Sequence, residues 1–333
     1  MWSILGIKFS LHSKRNRVSV LRMTITQRSF NFESDFDKVS QFLVDTYYDP
    51  ATAQRGHINW LQSRWEYMHF HPMITDVDRS KIGVWESNGK IVGVAHPEHP
   101  GSPAYFEIRP GFEPIKAEML DYYEREIRVT PDGLDNHEGI YLMGGDGEFG
   151  QIASDAGYTK SDDAEPMSIV PTDRVPDSAP LPDGFKLISL ADENSPKKSH
   201  QVLWRGFNHE GDPDENGLVE HDFSNGIAER EFMQSAPNFA FDLNVVAVAP
   251  NGDWVSYSGM WYEPTNKYCY VEPVATDPEY RLKGLGKAAV TESIRRATLL
   301  GAEVAYVGAT LPIYKSISFE QVYSLEKWVQ SSG

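Results

Sequence analysis

The alternation of apolar and polar residues has the same outline in the two halves of the chain. Residues 24–28 and 185–189 alternate with the period of a strand, and each segment precedes an amphipathic helical pattern, at residues 34–47 and 196–207. This pairing of a strand with a helix at the start of each half is the first sign of a repeated unit.

Two hairpins extend the repeat. Asn88-Gly89 separates apolar runs at 82–85 and 91–95, and Asn251-Gly252 separates runs at 245–249 and 254–261. Both dipeptides suit a type I′ turn, because Asn and Gly tolerate positive φ. A strand, a helix and another strand follow in each half, so the sequence predicts a duplicated domain.

The joint between the halves is expected at residues 170–183, which are rich in Pro, Asp and Ser. The predicted domains are therefore residues 23–170 and 184–333, with a linker at 171–183. Residues 1–22 contain five basic residues and no acid, so they are either a basic targeting extension or the product of an upstream start codon, with Met23 as the true start.

The net charge, the cysteine content and the apolar runs limit the kinds of partner and compartment that are expected for this protein. The 333 residues have a formal net charge of −17, which argues against a nucleic-acid partner and favours a cationic substrate. A single cysteine, Cys269, excludes an intrachain disulfide and fits a reducing compartment. No apolar run is long enough to cross a bilayer, so we expect a soluble, cytoplasmic protein with no membrane partner.

The most informative motif is the run Arg281-Leu-Lys-Gly284-Leu-Gly286, which follows an apolar strand and opens a helix. Glycines let a ligand approach the backbone, and the first amides of a helix attract phosphate or pyrophosphate. Extended to Ala289, the run also satisfies the dinucleotide fingerprint G-x-G-x-x-G/A, as Gly284-Leu-Gly286-Lys-Ala-Ala289. That interpretation is disfavoured because the preceding loop is long, because Glu303 precedes the next strand, and because too few residues follow for further βα units.

The same run resembles motif A of the GNAT family of N-acetyltransferases, R/Q-x-x-G-x-G/A. Its flanks agree with this resemblance. Residues 272–280 resemble the family's fourth strand and the following loop, and Tyr314-Lys-Ser-Ile-Ser318-Phe319 resembles its late Y-x-x-x-G-F element, with Ser318 in place of Gly. The resemblance covers about the last third of the chain. It implies an α/β (α+β) fold of two tandem GNAT-like domains, each a mostly antiparallel sheet flanked by helices, with a local parallel pair where the cofactor inserts.

The resemblance also implies a function and a site. The C-terminal domain would bind acetyl-CoA and transfer its acetyl group directly to a primary amine of a small, cationic substrate, without a metal. The strand before the loop would splay and pair with pantetheine, and the loop would hold the pyrophosphate. The implied cofactor-binding residues are Val274, Ala275, Thr276, Arg281, Leu282, Lys283, Gly284, Leu285, Gly286 and Lys287.

Two residues are candidates for proton transfer. Strand alternation places Tyr268, Tyr270 and Glu272 on one face. Glu272 is the candidate general base if it lies in the cleft and burial raises its pKa; otherwise it is a carboxylate in a surface pair or one that orients the loop. Tyr314 matches the family's general-acid tyrosine, with a hydroxyl that caps a backbone group as the alternative.

The first half differs where chemistry is expected. Residues 107–114 replace the glycine turn with two prolines and acids, which disfavour phosphate. We therefore expect this half to be structural, to form one wall of the substrate cleft, or to bind a partner. One run is rich in aromatic side chains and histidines, which favours packing over a metal site because no third ligand is evident; it contains Trp60, Trp65, Tyr67, His69, Phe70 and His71.

An acidic stretch at residues 209–222 precedes the second hairpin. Asp212-x-Asp214-x-Asn216-Gly217 copies the first half of a calcium loop, but Phe223 stands where a bidentate Glu is required. The stretch is therefore either a solvated loop or an attractor for an amine or polyamine. For the whole protein, the alternative to an enzyme is a non-catalytic CoA-binding or regulatory module.

Overall fold

The computed structural model describes residues 24–48, 60–72, 74, 77–99, 101–128, 139–209 and 226–330. Residues 1–22 and most of the acidic stretch at 209–222 lie outside these ranges, so the predictions made for them stay predictions.

The first half contains a strand and helix, a second helix, a three-stranded unit, and a strand, helix and strand. These elements are β1 Ile25–Ser29, α1 Phe32–Asp45, α2 Gln62–Phe70, β2 Gly83–Ser87, β3 Lys90–Pro97, β4 Ala104–Ile108, α3 Lys116–Tyr122, β5 Ile140–Met143, α4 Gly147–Asp155 and β6 Tyr158–Pro171.

The second half repeats this succession. Its elements are β7 Lys186–Ser189, α5 Pro196–Gly206, α6 Gly226–Gln234, β8 Val245–Val248, β9 Trp254–Glu263, β10 Tyr268–Thr276, α7 Leu285–Leu299, β11 Val304–Val307, α8 Pro312–Lys315 and β12 Glu320–Gln330.

The twelve strands within the described ranges form one continuous sheet, in the order β1-β2-β3-β4-β5-β12-β6-β11-β10-β9-β8-β7. The pairs β4–β5 and β10–β11 are parallel, and all other neighbours are antiparallel. The mixed sheet flanked by helices confirms the predicted fold class. Each half contributes one parallel pair at the corresponding place.

The two halves exchange their last strands. β6 of the first half lies between β11 and β12, and β12 of the second half lies between β5 and β6. In these ladders Pro171 is opposite Val304, and Leu325 is opposite Met143. The ladder therefore continues through the first two residues of the joint predicted at 170–183, and neither half has a complete sheet without the other.

The two hairpin turns differ. Asn88 and Gly89 have φ of 51° and 73°, as a type I′ turn requires. The type I′ prediction for Asn251-Gly252 is wrong, because only Gly252 has positive φ, at 89°. Gly252 N donates to Ala249 O at 2.9 Å and Ala249 N donates to Asp253 O at 2.9 Å, which is the pattern of a longer loop that ends in a left-handed glycine.

Helix α2 of the first half packs against the second half. Glu66 on this helix accepts hydrogen bonds from the backbone and side-chain nitrogens of Asn238, at 2.5 and 2.7 Å. An apolar and aromatic cluster joins both halves at the sheet centre; its buried members are Leu61, Met167, Ala236, Trp261, Tyr268, Tyr270 and Tyr306. This contact places α2 over the face of β10 that bears the candidate base.

In the described part of the chain, none of the helices has both the length and the apolar character needed to cross a membrane.

Candidate functional site

Strand β10 separates from β11 partway along its length. The parallel ladder joins Tyr268, Cys269 and Tyr270 to residues 304–306. The register with β9 then shifts between Val271 and Val274, and residues 274–276 pair with β9 only. The backbone of residues 274–276 therefore has an edge on the β11 side that the ladder does not use, where an extended ligand has room to pair.

The glycine turn after β10 forms an uncapped helix start. Gly284 has φ of 82°, a left-handed conformation, and α7 begins at the next residue without a side-chain cap. The first helical bond of α7 is the one from Ala288 N to Gly284 O at 3.0 Å. The amides of residues 285–287 therefore have no acceptor within the helix and lie at the positive end of the helix dipole. Such a terminus binds anions.

The two glycines have different roles. A Cβ added to Gly284 would meet nothing closer than Pro180 O at 3.8 Å, so space is open above this residue. A Cβ added to Gly286 would lie 3.0 Å from both Thr276 Oγ1 and Ile313 Cδ1. Gly286 therefore allows α7 to pack against the end of β10, and Gly284 leaves room for a ligand. This arrangement fits the pyrophosphate of a coenzyme A.

The basic side chains around this turn also hold its shape. Arg281 donates to Thr276 O at 3.1 Å, to Gly206 O at 2.7 Å and to Asn208 Oδ1 at 2.9 Å. Lys287 Nζ donates to Ser316 O at 2.8 Å. The predicted positive charges therefore surround the turn, while Arg281 also fixes it to the end of α5.

Glu272 lies in a cavity of about 630 Å³ between the two halves. Its carboxylate makes no hydrogen bond to any residue that the structure describes. Its pKa is raised from 4.5 to about 7, mainly by burial and then by the nearby Glu98 and Glu165, whereas Arg64 opposes the shift. A carboxyl group with a pKa near neutrality in a cleft is suited to accept a proton.

Tyr314 lies on α8 and is almost fully buried, with its ring packed edge-on against Phe319 at 5.7 Å. Within the described ranges its hydroxyl has no hydrogen-bond partner, so it does not cap a backbone group there. Burial raises its pKa above the ordinary value of 10, which keeps the phenol protonated at neutral pH. Ser318 has φ of 75°, the conformation that favours the glycine found here in the family pattern.

The first half supplies the opposite wall of the cavity. Arg64 on α2 donates from Nε and Nη2 to Glu98, at 2.8 and 2.5 Å, and from Nη1 to Glu165 on β6. Tyr105 donates its hydroxyl proton to Glu165 at 2.8 Å. Sequence reasoning missed these residues; the only signal was a single arginine within the aromatic run of residues 60–71.

The histidines of that run lie on a helix and directly after it, and not on a strand. His69 is buried with Nδ1 3.0 Å from Trp65 O, and burial lowers its pKa to about 3. His71 follows α2 and lines the cavity. Among the described residues, no group of three or more potential ligands could hold a metal ion.

The first half has a turn in the place that corresponds to the glycine turn after β10, but a backbone amide of this turn is already hydrogen-bonded within the protein. Gly111 has φ of 93°, and its amide donates to the carboxylate of Glu113 at 2.9 Å. The following helix begins at Lys116, whose ammonium pairs with Asp146 at 2.9 Å. The Gly111 amide is therefore bonded to a carboxylate of the protein and is not available to an anionic ligand.

Comparisons with known proteins agree with this geometry. Residues 212–319 match the Acetyltransferase (GNAT) family model. No protein in the curated set matches the chain.

Solved structures resemble the chain over nearly its whole length. A GCN5-related N-acetyltransferase from Sphaerobacter thermophilus has a TM-score of 0.57 at 11% identity, covering 93% of this chain and 97% of that one. A tandem GNAT protein from the clavulanic acid biosynthesis pathway has a TM-score of 0.56 at 13% identity, covering 93% and 99%. A GNAT-family acetyltransferase from Colwellia psychrerythraea has a TM-score of 0.52 at 10% identity, covering 92% and 100%.

Proposed function

Because the chain contains a GNAT-family domain and has the fold of tandem GNAT proteins, we propose that it is an acetyl-CoA-dependent N-acetyltransferase that acts on a primary amine. The cofactor site is proposed in the second half, along Val274, Ala275 and Thr276 and at the turn from Arg281 to Lys287. The observation that supports it most directly is the meeting of three features: an uncapped helix start, a splayed strand edge and a cleft that contains Glu272.

The residues divide the work of transfer. The amides of residues 285–287 and the open space over Gly284 bind the pyrophosphate, and the free edge of β10 orients pantetheine. Acetyl-CoA supplies the activated acetyl thioester. Glu272 takes a proton from the substrate ammonium, directly or through water, so that the amine nitrogen bonds to the acetyl carbon as the carbon–sulfur bond breaks. Tyr314 supplies a proton to the departing sulfur. The second proton that the nitrogen loses on becoming an amide restores the phenol, so the proton held by Glu272 is the one released to solvent.

The acceptor is proposed to be a small cationic molecule. The cavity of about 630 Å³ has the size of a small-molecule site. Glu98, Glu165 and Glu272 line it with one arginine, so carboxylates outnumber cations. This charge favours amines over acidic acceptors.

The test is release of free CoA thiol from acetyl-CoA in the presence of a panel of primary amines. The proposal expects amine-dependent release that Glu272→Gln and Tyr314→Phe reduce while both variants still bind acetyl-CoA. Acetyl-CoA binding without turnover on any amine would instead support a non-catalytic CoA-binding or regulatory module.

A further inference from the structure

The wall of the cavity that the first half contributes has an excess of negative charge. Arg64 forms a two-point ion pair with Glu98 and a further pair with Glu165. One guanidinium offsets one of the two carboxylates, so this wall has a net negative charge, and Glu272 adds to it from the facing strand. A bound molecule that balances this charge needs more than one cationic group.

A nearly buried tyrosine presents a hydroxyl to the same cavity. Tyr270 is 3% exposed and lines the cavity. Its Oη would be 3.6 Å from a Cβ added to Gly308, another lining residue. The hydroxyl makes no hydrogen bond to any residue in the described ranges. Because the rest of the side chain is buried and the hydroxyl opens on the cavity, it is available to donate or accept a hydrogen bond with a ligand group.

Tyr270 and Glu272 define a direction for the ligand. They stand two residues apart on one face of β10, so their Cα atoms are separated by about 7 Å along the strand. A ligand with one group at Glu272 and another beside Tyr270 and Glu165 would therefore need several bonds between the two groups. This separation suits the two ends of an alkyl diamine.

We propose that Glu98, Glu165 and Tyr270, with Arg64 as their anchor, bind a second ammonium group of the acceptor, so that the preferred acceptor is a diamine or polyamine acetylated at the amine beside Glu272. The identity of the reacting end rests on the proposed acetyltransferase function. The binding of the second ammonium group does not, because it depends only on the charged wall.

An anionic second group does not fit this wall. Three N–H groups of Arg64 point at the carboxylates of Glu98 and Glu165, and its guanidinium lies 4.0 Å from the ring centroid of Trp60. A carboxylate could reach the arginine only by displacing a two-point ion pair, and it would then face the remaining acids.

The test compares three acceptors of equal length: 1,6-diaminohexane, 6-aminohexan-1-ol and 6-aminohexanoate. Calorimetry on the full chain with CoA present measures binding, and thiol release measures kcat/KM. We expect the diamine to bind at least about tenfold more tightly than the amino alcohol, since it adds a charge-assisted hydrogen bond. Glu165→Gln should reduce that ratio to about threefold or less.

Two further variants keep the test interpretable. Tyr270→Phe removes only a hydroxyl that has no partner in the described structure, so it should fold normally and still reduce the diamine preference. Glu303→Gln removes the same charge at an exposed residue paired with Lys267 and should leave the preference unchanged.

The outcomes separate this inference from the proposed function. Equal binding of diamine and amino alcohol, or tighter binding of 6-aminohexanoate, would overturn the inference. Tight, Glu165-dependent diamine binding without acetylation would support the second-ammonium site and contradict the acetyltransferase function. Acetylation of diamine and amino alcohol with equal kcat/KM would support the function and overturn the inference.

Discussion

Replacing Glu272 with glutamine tests its assignment as the proton acceptor. The substitution keeps the shape of the side chain and removes its basicity. Because the carboxylate makes no hydrogen bond within the described residues, the change should leave no partner unsatisfied. We expect kcat to fall by a factor of about 10² to 10⁴, the usual contribution of a positioned base, while the Kd for acetyl-CoA changes by less than about twofold.

The pH dependence of the rate tests the assignment of Glu272 in a second, independent way. The pKa of Glu272 is raised to about 7, first by burial and then by Glu98. A base must be deprotonated to act, so kcat/KM for the amine, which reports the free enzyme, should rise with pH through this group up to about 7 and level off above it. At pH 6 only about one-tenth of the groups are ionised, and the rate should fall about tenfold for each further pH unit. Glu98→Gln removes a neighbouring negative charge and should move this inflection to lower pH.

The assay is thiol release at saturating acetyl-CoA, with kcat and kcat/KM for the amine measured from pH 5 to pH 9 and one amine used for all variants so that its own titration is common to them. Glu303→Gln, which removes a carboxylate at an exposed surface pair, is the matched control and should keep the wild-type profile. A Glu272→Gln enzyme that keeps kcat within about threefold, with the same inflection, would refute the reasoning.

Three further predictions follow from buried groups and from the exchanged strands. Tyr314→Phe should lower kcat by about 10²-fold with unchanged acetyl-CoA binding by calorimetry and unchanged Tm, because the hydroxyl has no partner among the described residues; an unchanged kcat would contradict its role as an acid. Burial raises the pKa of Glu107 from 4.5 to about 8, so the folded protein keeps this proton between those values while the unfolded chain loses it, and stability falls as pH rises through this window. The free energy of unfolding of Glu107→Gln, measured in urea, should therefore rise relative to the wild-type value by up to a few kcal/mol as the pH is raised to 8. A difference from the wild type that does not change with pH would contradict this. Deletion of residues 320–333 removes β12, the strand between β5 and β6, and should abolish cooperative thermal unfolding; a soluble product that retains the wild-type Tm would show that the exchange is dispensable.

The sequence predicted local elements and the glycine turn after β10 more completely than it predicted how the halves join. The starts of both halves, the hairpins and the glycine turn all follow from short-range patterns of apolar residues and turn residues. The alternation that put Tyr270 and Glu272 on one face also agrees with the structure, where both line the cavity.

The exchange of β6 and β12 could not be predicted in the same way, because alternation identifies a strand but not its neighbour. Its consequence is practical. A truncated second half lacks β6, which separates β11 from β12, so removal of the first half does not test whether that half is an independent partner-binding domain. The turn at Asn251-Gly252 was misjudged for a related reason: the dipeptide fits more than one loop length, and the flanking register decides between them.

The charged cavity wall supplied by the first half was missed because its members are far apart in sequence. Arg64 lies on α2, Glu98 follows β3, and Glu165 lies on β6. Each looks like an ordinary charged residue in its own segment, and only the tertiary fold, which sets α2 beside the end of β3 and beside β6, brings them together.

The central claim is that the turn after β10 binds acetyl-CoA, and calorimetric titration of acetyl-CoA into wild-type and Gly284→Glu protein tests it most directly. The matched control is Gly252→Glu: Gly252 has φ of 89° and open space around its Cβ position, so it introduces the same charge and comparable backbone strain in a hairpin turn. We expect micromolar binding by the wild-type protein and the Gly252→Glu control, and loss of binding in Gly284→Glu. Absence of binding by the wild-type protein, or equal binding by the Gly284→Glu variant, would contradict the claim.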